Sequence, residues 1–139
     1  MILISACLLG EKCKYNGGDN FSLAVKEYIG EQEYVLVCPE ALGGLPIPRP
    51  PAEIYEGRVV NAKGKDVTCQ FITGAKKTLD IAKDIKADLC ILKEGSPSCG
   101  KNLIYDGKFR NRKMPGQGVT AKLLAANGFK IISEMEINH

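Results

Sequence analysis

Six cysteines occur in the 139 residues, and three of them, Cys7, Cys38 and Cys99, stand where strand-like runs give way to loops. The spacings are wide: 31 residues from Cys7 to Cys38 and 61 from Cys38 to Cys99. Structural zinc usually takes four closely spaced donors, whereas this chain has no C-x2-C pair and a single histidine, His139. Scattered thiolates suit an iron-sulfur cluster better, because each ligates its own iron, and three protein ligands leave the fourth iron open to a substrate atom. The opposing reading is that each cysteine is a small buried apolar residue. That reading fits Cys90, inside an apolar run, and Cys69, near the start of a helix beside Phe71 and Ile72, so both are expected in the core. Cys13, six residues beyond Cys7, is open to three roles: a fourth ligand, a sulfur acceptor or a plain loop residue.

The elements that must position these thiols follow from hydrophobic pattern. Ile2–Ser5, Tyr34–Val37 and Leu89–Leu92 are short apolar runs of the kind buried on both faces of a parallel sheet, with a last strand at 129–133. Helical spacing marks 21–29, closed by Gly30, then 67–87, and a third helix at 119–126 ending at Asn127-Gly128. A small hairpin or an extended excursion is expected at 58–67 around Ala62-Lys63-Gly64-Lys65, and an irregular proline-rich loop at 38–51. Alternating strands and helices predict an α/β fold: one domain spanning residues 1–139, with a mostly parallel sheet of about four strands and flanking helices. Ligands of such sheets gather beyond the carboxyl ends of the strands, where Cys7, Cys38 and Cys99 are expected.

Composition narrows the function. A hydrophobic fraction of 45% and a charged fraction of 25% describe a water-soluble globular chain. No stretch reaches membrane-spanning length, and the apolar start is too short for a signal-peptide core, so cytoplasmic residence is the expectation. The net charge of +3 is small, and only Lys108–Lys113 (KFRNRK) concentrates positive charge, which disfavours an extended nucleic-acid track. Gly116-Gln117-Gly118 before a helix offers backbone N–H groups to an anion, but lacks the third glycine of a dinucleotide fingerprint.

Several segments in order carry a resemblance: Ser5-Ala6-Cys7-Leu8-Leu9-Gly10, Cys38-Pro39-Glu40, Gly43–Arg49, Ser96-Pro97-Ser98-Cys99-Gly100, Tyr105-Asp106-Gly107 and Gly116–Ala121. Through nearly its whole length the chain resembles the thiouracil desulfurases. The resemblance implies a Rossmann-like fold, a 4Fe-4S cluster on Cys7, Cys38 and Cys99, and conversion of 2-thiouracil to uracil with release of sulfide. It also implies catalytic roles for Glu40, as acid/base, and Ser96. The family commonly has an aspartate where Lys14-Tyr15-Asn16-Gly17 carries Asn16, which shifts acid/base weight toward Glu40.

Read by chemistry, Ser98 is a second hydroxyl able to bind the ring, although Ser-Pro-Ser is also an ordinary turn. Arg49, in Pro48-Arg49-Pro50-Pro51, either aims its guanidinium at a pyrimidine oxygen or phosphate, or braces the loop through Glu53. The expected partner is a small thiopyrimidine in a pocket sized for one ring. Two other classes compete: a persulfide-carrying sulfur transferase acting on RNA through the basic loop, and a non-catalytic metal-binding or redox-sensing module.

Overall fold

The computed structural model describes residues 1–137; His139 lies outside them. Four strands, β1 (Ile2–Ser5), β2 (Tyr34–Val37), β5 (Leu89–Leu92) and β8 (Ile131–Ser133), form one sheet in the order β2-β1-β5-β8. Every pairing in it is parallel. Between these strands run the helices α1 (Leu23–Ile29), α3 (Thr68–Asp84) and α4 (Val119–Ala126).

The apolar runs form strands because both sheet faces are covered. Alternate side chains go to opposite layers: Ile2, Ile4 and Ile91 pack with Val25 and Ile29 of α1, whereas Leu3, Cys90 and Leu92 pack with Ala82 of α3 and Ala121 and Leu124 of α4. This three-layer α/β arrangement matches the expected fold. Cys90 is buried as expected, but Cys69 is exposed. The buried stripe of α3 runs through Thr68, Phe71, Ala75, Thr78 and Ala82, so Cys69 and Ile72 fall on the neighbouring, solvent-facing stripe.

Two antiparallel hairpins sit outside the sheet. The first pairs β3 (Ala52–Tyr55) with β4 (Arg58–Asn61) and turns at Glu56-Gly57, both at positive φ. It therefore lies several residues before the expected position, and Lys63-Gly64-Lys65 forms a separate turn on the Asn61 carboxamide, which accepts from Lys63 N and Lys65 N. The second, which sequence pattern did not reveal, pairs β6 (Leu103–Tyr105) with β7 (Lys113–Pro115) and carries Lys108–Arg112 of KFRNRK in its connection, with Lys113 opening β7.

A short helix, α2 (Pro39–Leu42), occupies the start of the proline-rich segment expected to be irregular. It rests on α3 by an unusually close backbone approach. A Cβ on Gly74 would lie 1.9 Å from the Pro39 carbonyl oxygen, and one on Gly43 would lie 2.0 Å from that of Gln70. Glycine is required on both sides of the contact, which fixes the turn carrying Cys38 and Glu40 against the longest helix.

Gly74→Ala is accordingly expected to push α2 off α3, destabilising the fold by about 1–3 kcal/mol and reducing iron retained by the protein. Thermal unfolding and iron quantitation check this. A variant as stable and as iron-replete as the parent would show that the glycine contact does not place the Cys38 turn.

Candidate active site

Because the four strands are parallel, their carboxyl ends share one edge, and the three expected thiols issue from three of them. Cys7 lies in a 3-10 turn, Ala6–Leu9, directly after β1 and closed by Gly10 in the left-handed region. Cys38 follows β2 and is the N-cap of α2, with Pro39 opening the helix. Cys99 ends the loop that follows β5. All three line one cavity of about 700 Å³, together with Cys13, Glu40 and Ser96. Cys69 and Cys90 are not among its lining.

The loop bearing Ser96 and Cys99 is held by backbone partners on both sides. Ser96 Oγ accepts from Ser98 N and Cys99 N, both at 3.0 Å. The first turn of α4 donates into the same loop, Val119 N to Pro97 O and Thr120 N to Ser98 O, while Gly118 N reaches Gly100 O at 2.7 Å. A Cβ on Gly118 would sit 2.4 Å from the Ser98 carbonyl carbon. The Gly116-Gln117-Gly118 turn is thus the seat of the Cys99 loop, and the N–H groups of Gly118, Val119 and Thr120 go to that loop's carbonyls, which leaves none of the three for an anion. A buried carboxylate completes the frame: Glu94 accepts from the N–H groups of Lys101, Asn102 and Leu103 at 2.8–2.9 Å.

Two expected contacts are not made. The structure does not bring Ser98 to the cavity: it is 1% exposed, and its hydroxyl is bonded to Thr120 Oγ1 at 2.7 Å. Arg49 does line the cavity, yet its brace is Glu40 instead of Glu53. Its Nε donates to Glu40 Oε2 at 2.9 Å and its Nη2 to the same oxygen. Nη2 also reaches the Cys13 carbonyl at 3.0 Å, and the Arg49 N–H donates to Tyr15 O at 2.7 Å. Glu53 turns to the other hairpin, accepting from Gly107 N and Phe109 N. The basic run is partly neutralised in place: Arg110 pairs with Asp106, and Lys113 lies over the Tyr105 ring.

Sequence reasoning missed two polar groups that touch the thiols. Asn20 donates its backbone N–H to the Cys7 carbonyl at 3.0 Å and brings its side chain beside the Cys7 sulfur, which lowers that thiol's pKa. Ser5, the one hydroxyl of an otherwise apolar strand, accepts from Lys93 N at 3.0 Å and lies beside the Cys99 thiol, where it opposes the upward push of burial on that thiol's pKa. A polar residue ending an apolar run was the only available signal.

The thiols differ electrostatically. The Cys13 thiol, beside the sulfurs of Cys7 and Cys38, pulls both their pKa values below the ordinary thiol range, Cys38 to about 6, and Cys38 Sγ also lies 3.8 Å from the Cys13 carbonyl oxygen. Cys13 is itself pushed strongly upward by those two contacts and keeps its proton. Burial pushes Cys99 up to about 12.

Among the described residues no group of three or more His, Cys, Asp or Glu is placed to hold a metal ion. A mononuclear site needs its donors within bond length of a single centre, about 2.3 Å for zinc and sulfur. A cluster relaxes that demand, since each thiolate meets a different iron. Three thiols from separate strand ends on one cavity fit the second requirement. Two of them are shifted toward the thiolate form, and coordination itself would deprotonate the buried third.

A parallel α/β layer with cysteines at three strand ends, a carboxylate and a serine around one cavity defines a thiol-rich site at the carboxyl edge of the sheet. The sequence profile of the family described as 2-thiouracil desulfurase matches residues 2–136, and the chain belongs to that family. It is 47% identical to the YbbK protein of Bacillus subtilis (strain 168), over 99% of this chain and 98% of that one. Its fold superimposes with a TM-score of 0.91 on a solved [4Fe-4S]-dependent thiouracil desulfidase, TudS, at 40% identity, covering 98% of this chain and 91% of the other. No described helix is long and apolar enough to cross a membrane.

The thiol electrostatics predict a titration. In protein prepared without iron, alkylation of Cys38 by iodoacetamide should rise through about pH 6, because a lowered pKa leaves the thiolate predominant above that value, while Cys99 stays unmodified at pH 8. Cys13→Ala removes the donor and should move the Cys38 midpoint upward. Peptide mapping by mass spectrometry reads both, and an unmoved midpoint would show that Cys13 is not the cause.

Proposed function

We propose that this protein hydrolyses the C=S bond of a thiolated pyrimidine, taking 2-thiouracil and water to uracil and hydrogen sulfide, with a 4Fe-4S cluster held by Cys7, Cys38 and Cys99. The observation that carries the reading is the convergence of those three thiols with Glu40 and Ser96 on one cavity. Family membership and the likeness to a cluster-dependent desulfidase support it. When bound, a cluster with one iron free of protein ligands supplies a soft Lewis acid for the thione sulfur and makes the attached carbon electrophilic.

The chain's own residues supply proton transfer and orientation. Arg49 holds Glu40 Oε2 from two nitrogens, and Glu40 Oε1 has no hydrogen-bond partner among the described residues. Oε1 is therefore the atom that takes a proton from the attacking water. Ser96 Oγ already accepts two backbone N–H bonds, so its own proton is left to donate. Directed into the cavity, it hydrogen-bonds the ring or protonates it as the C–S bond breaks. Arg49 acts through Glu40 as its positioning partner.

One observation favours a substrate larger than a free base. The expected single-ring pocket is a broad cleft whose lining includes Lys14, Lys63, Lys65 and Lys113. These lysines on the lining suit a thiopyrimidine carrying a phosphate, as a nucleoside monophosphate does.

Cysteine-to-alanine substitution at Cys99 should abolish both the cluster, read as iron, labile sulfide and absorbance, and turnover. Glu40→Gln keeps an acceptor for Arg49, so it should retain the cluster and lose turnover by about 100-fold or more. A fully active Glu40→Gln enzyme would move the base role elsewhere. Comparing 2-thiouracil with 2-thiouridine monophosphate across a salt series tests the second reading: a preference for the nucleotide that fades as salt rises supports the lysines as its binding groups.

A further inference from the structure

The connection between β6 and β7 bends back over the cavity in a conformation that costs free energy. Phe109 and Asn111 both have positive φ, at 53° and 58°, and both line the cavity. Asparagine tolerates the left-handed region, but for a bulky aromatic residue it is an outlier that the surroundings must enforce. The enforcement is visible. Glu53 Oε1 accepts from Gly107 N at 3.0 Å and Phe109 N at 3.2 Å, Asp106 Oδ1 accepts from Lys108 N at 2.9 Å, and Asp106 N donates to Arg112 O at 2.9 Å.

The other groups on the cavity that resemble these two are already engaged. Of the asparagines, Asn20 is placed at Cys7, its N–H donating to the Cys7 carbonyl at 3.0 Å and its side chain beside the sulfur, and Asn61 accepts from Lys63 N and Lys65 N. The Asn111 carboxamide has no partner among the described residues. Of the aromatic rings, Phe71 is in the core, and Tyr15 and Tyr105 each lie under a lysine ammonium. Phe109 is 42% exposed. The uncommitted ring and the uncommitted amide are therefore two residues apart on one braced loop.

We infer that Phe109 and Asn111 are the recognition residues for the pyrimidine ring, Phe109 stacking on its face and Asn111 pairing with its N3–H and O4 edge. The inference rests on the desulfuration reading above. A carboxamide offers one acceptor and one donor side by side, the complement of a lactam edge. A phenyl ring supplies the apolar face on which a base stacks.

Left-handed backbone makes the test selective. Glycine at either position relieves the conformational cost, so Phe109→Gly and Asn111→Gly should melt no lower than the parent. If the residues recognise the ring, each should raise KM for 2-thiouracil, and the Kd for uracil measured by calorimetry, about 10-fold or more, with kcat within threefold. Phe109→Tyr should restore binding. The parent should also reject 3-methyl-2-thiouracil, which lacks the N3–H, and Asn111→Gly should lose much of that discrimination. Glycine variants with parental KM, uracil affinity and discrimination would overturn the inference while leaving the desulfuration reading intact. A cluster-loaded parent that turns over no thiopyrimidine would overturn that reading and the inference with it.

Discussion

The site depends on β1 lying between β2 and β5 with all three strands pointing the same way. Parallel pairing forces each chain crossing to pass through a helix and return to the same starting edge, so everything following a strand is delivered to the opposite edge. Cys7, Cys38 and the Cys99 loop are neighbours for that reason, despite separations of 31 and 61 residues. Each thiol is then fixed by something close in sequence: a 3-10 turn for Cys7, the N-terminus of α2 for Cys38, and the Ser96 hydroxyl with the seat of α4 for Cys99. Loops supply the chemistry, but backbone contacts of the layered core set their positions. Gly74 and Gly118 belong to the site in this sense, since a single Cβ at either would collide with the backbone next to a proposed ligand.

This hierarchy explains what the sequence disclosed. The four sheet strands were legible because burial on both faces leaves continuous apolar runs, and α3 was legible because its length lets a 3.6-residue stripe repeat. The direction of Cys69 was not, because Phe71 and Ile72 are adjacent in sequence and only packing decides which one faces inward; the choice of Phe71 leaves Cys69 outside. Strands of three residues, such as β6 and β7, carry too little pattern to be seen. Glu56-Gly57 and Lys63-Gly64-Lys65 are both glycine turns, and what separates them is strand pairing across β3 and β4, a nonlocal fact.

The site itself was legible at its thiols and less so at its polar groups. Cysteine is informative by type and by position after a strand. A serine, an arginine or a glutamate is compatible with too many roles, so Ser98, placed two residues from a catalytic candidate, turned out to be bonded to Thr120, and Arg49 chose Glu40 over Glu53. Such choices are made by distance and desolvation, neither of which is local in sequence.

The Arg49–Glu40 pair shows how desolvation carries functional information. Its side chains are only 6% and 16% exposed. A buried ion pair is commonly no better for stability than well-packed apolar residues of the same volume, because two charges must leave water. Its value here is positional. The guanidinium's five donors form a rigid fork, and it spends them on Glu40 Oε2, the Cys13 carbonyl and the Pro46 carbonyl. One side chain thereby ties the α2 turn, the loop carrying Cys13 and the proline-rich segment into a single wall. An apolar replacement could fill the volume, but it could not distinguish one carboxylate oxygen from the other. The ion pair makes that distinction, holding Oε2 and leaving Oε1 without a hydrogen-bond partner among the described residues.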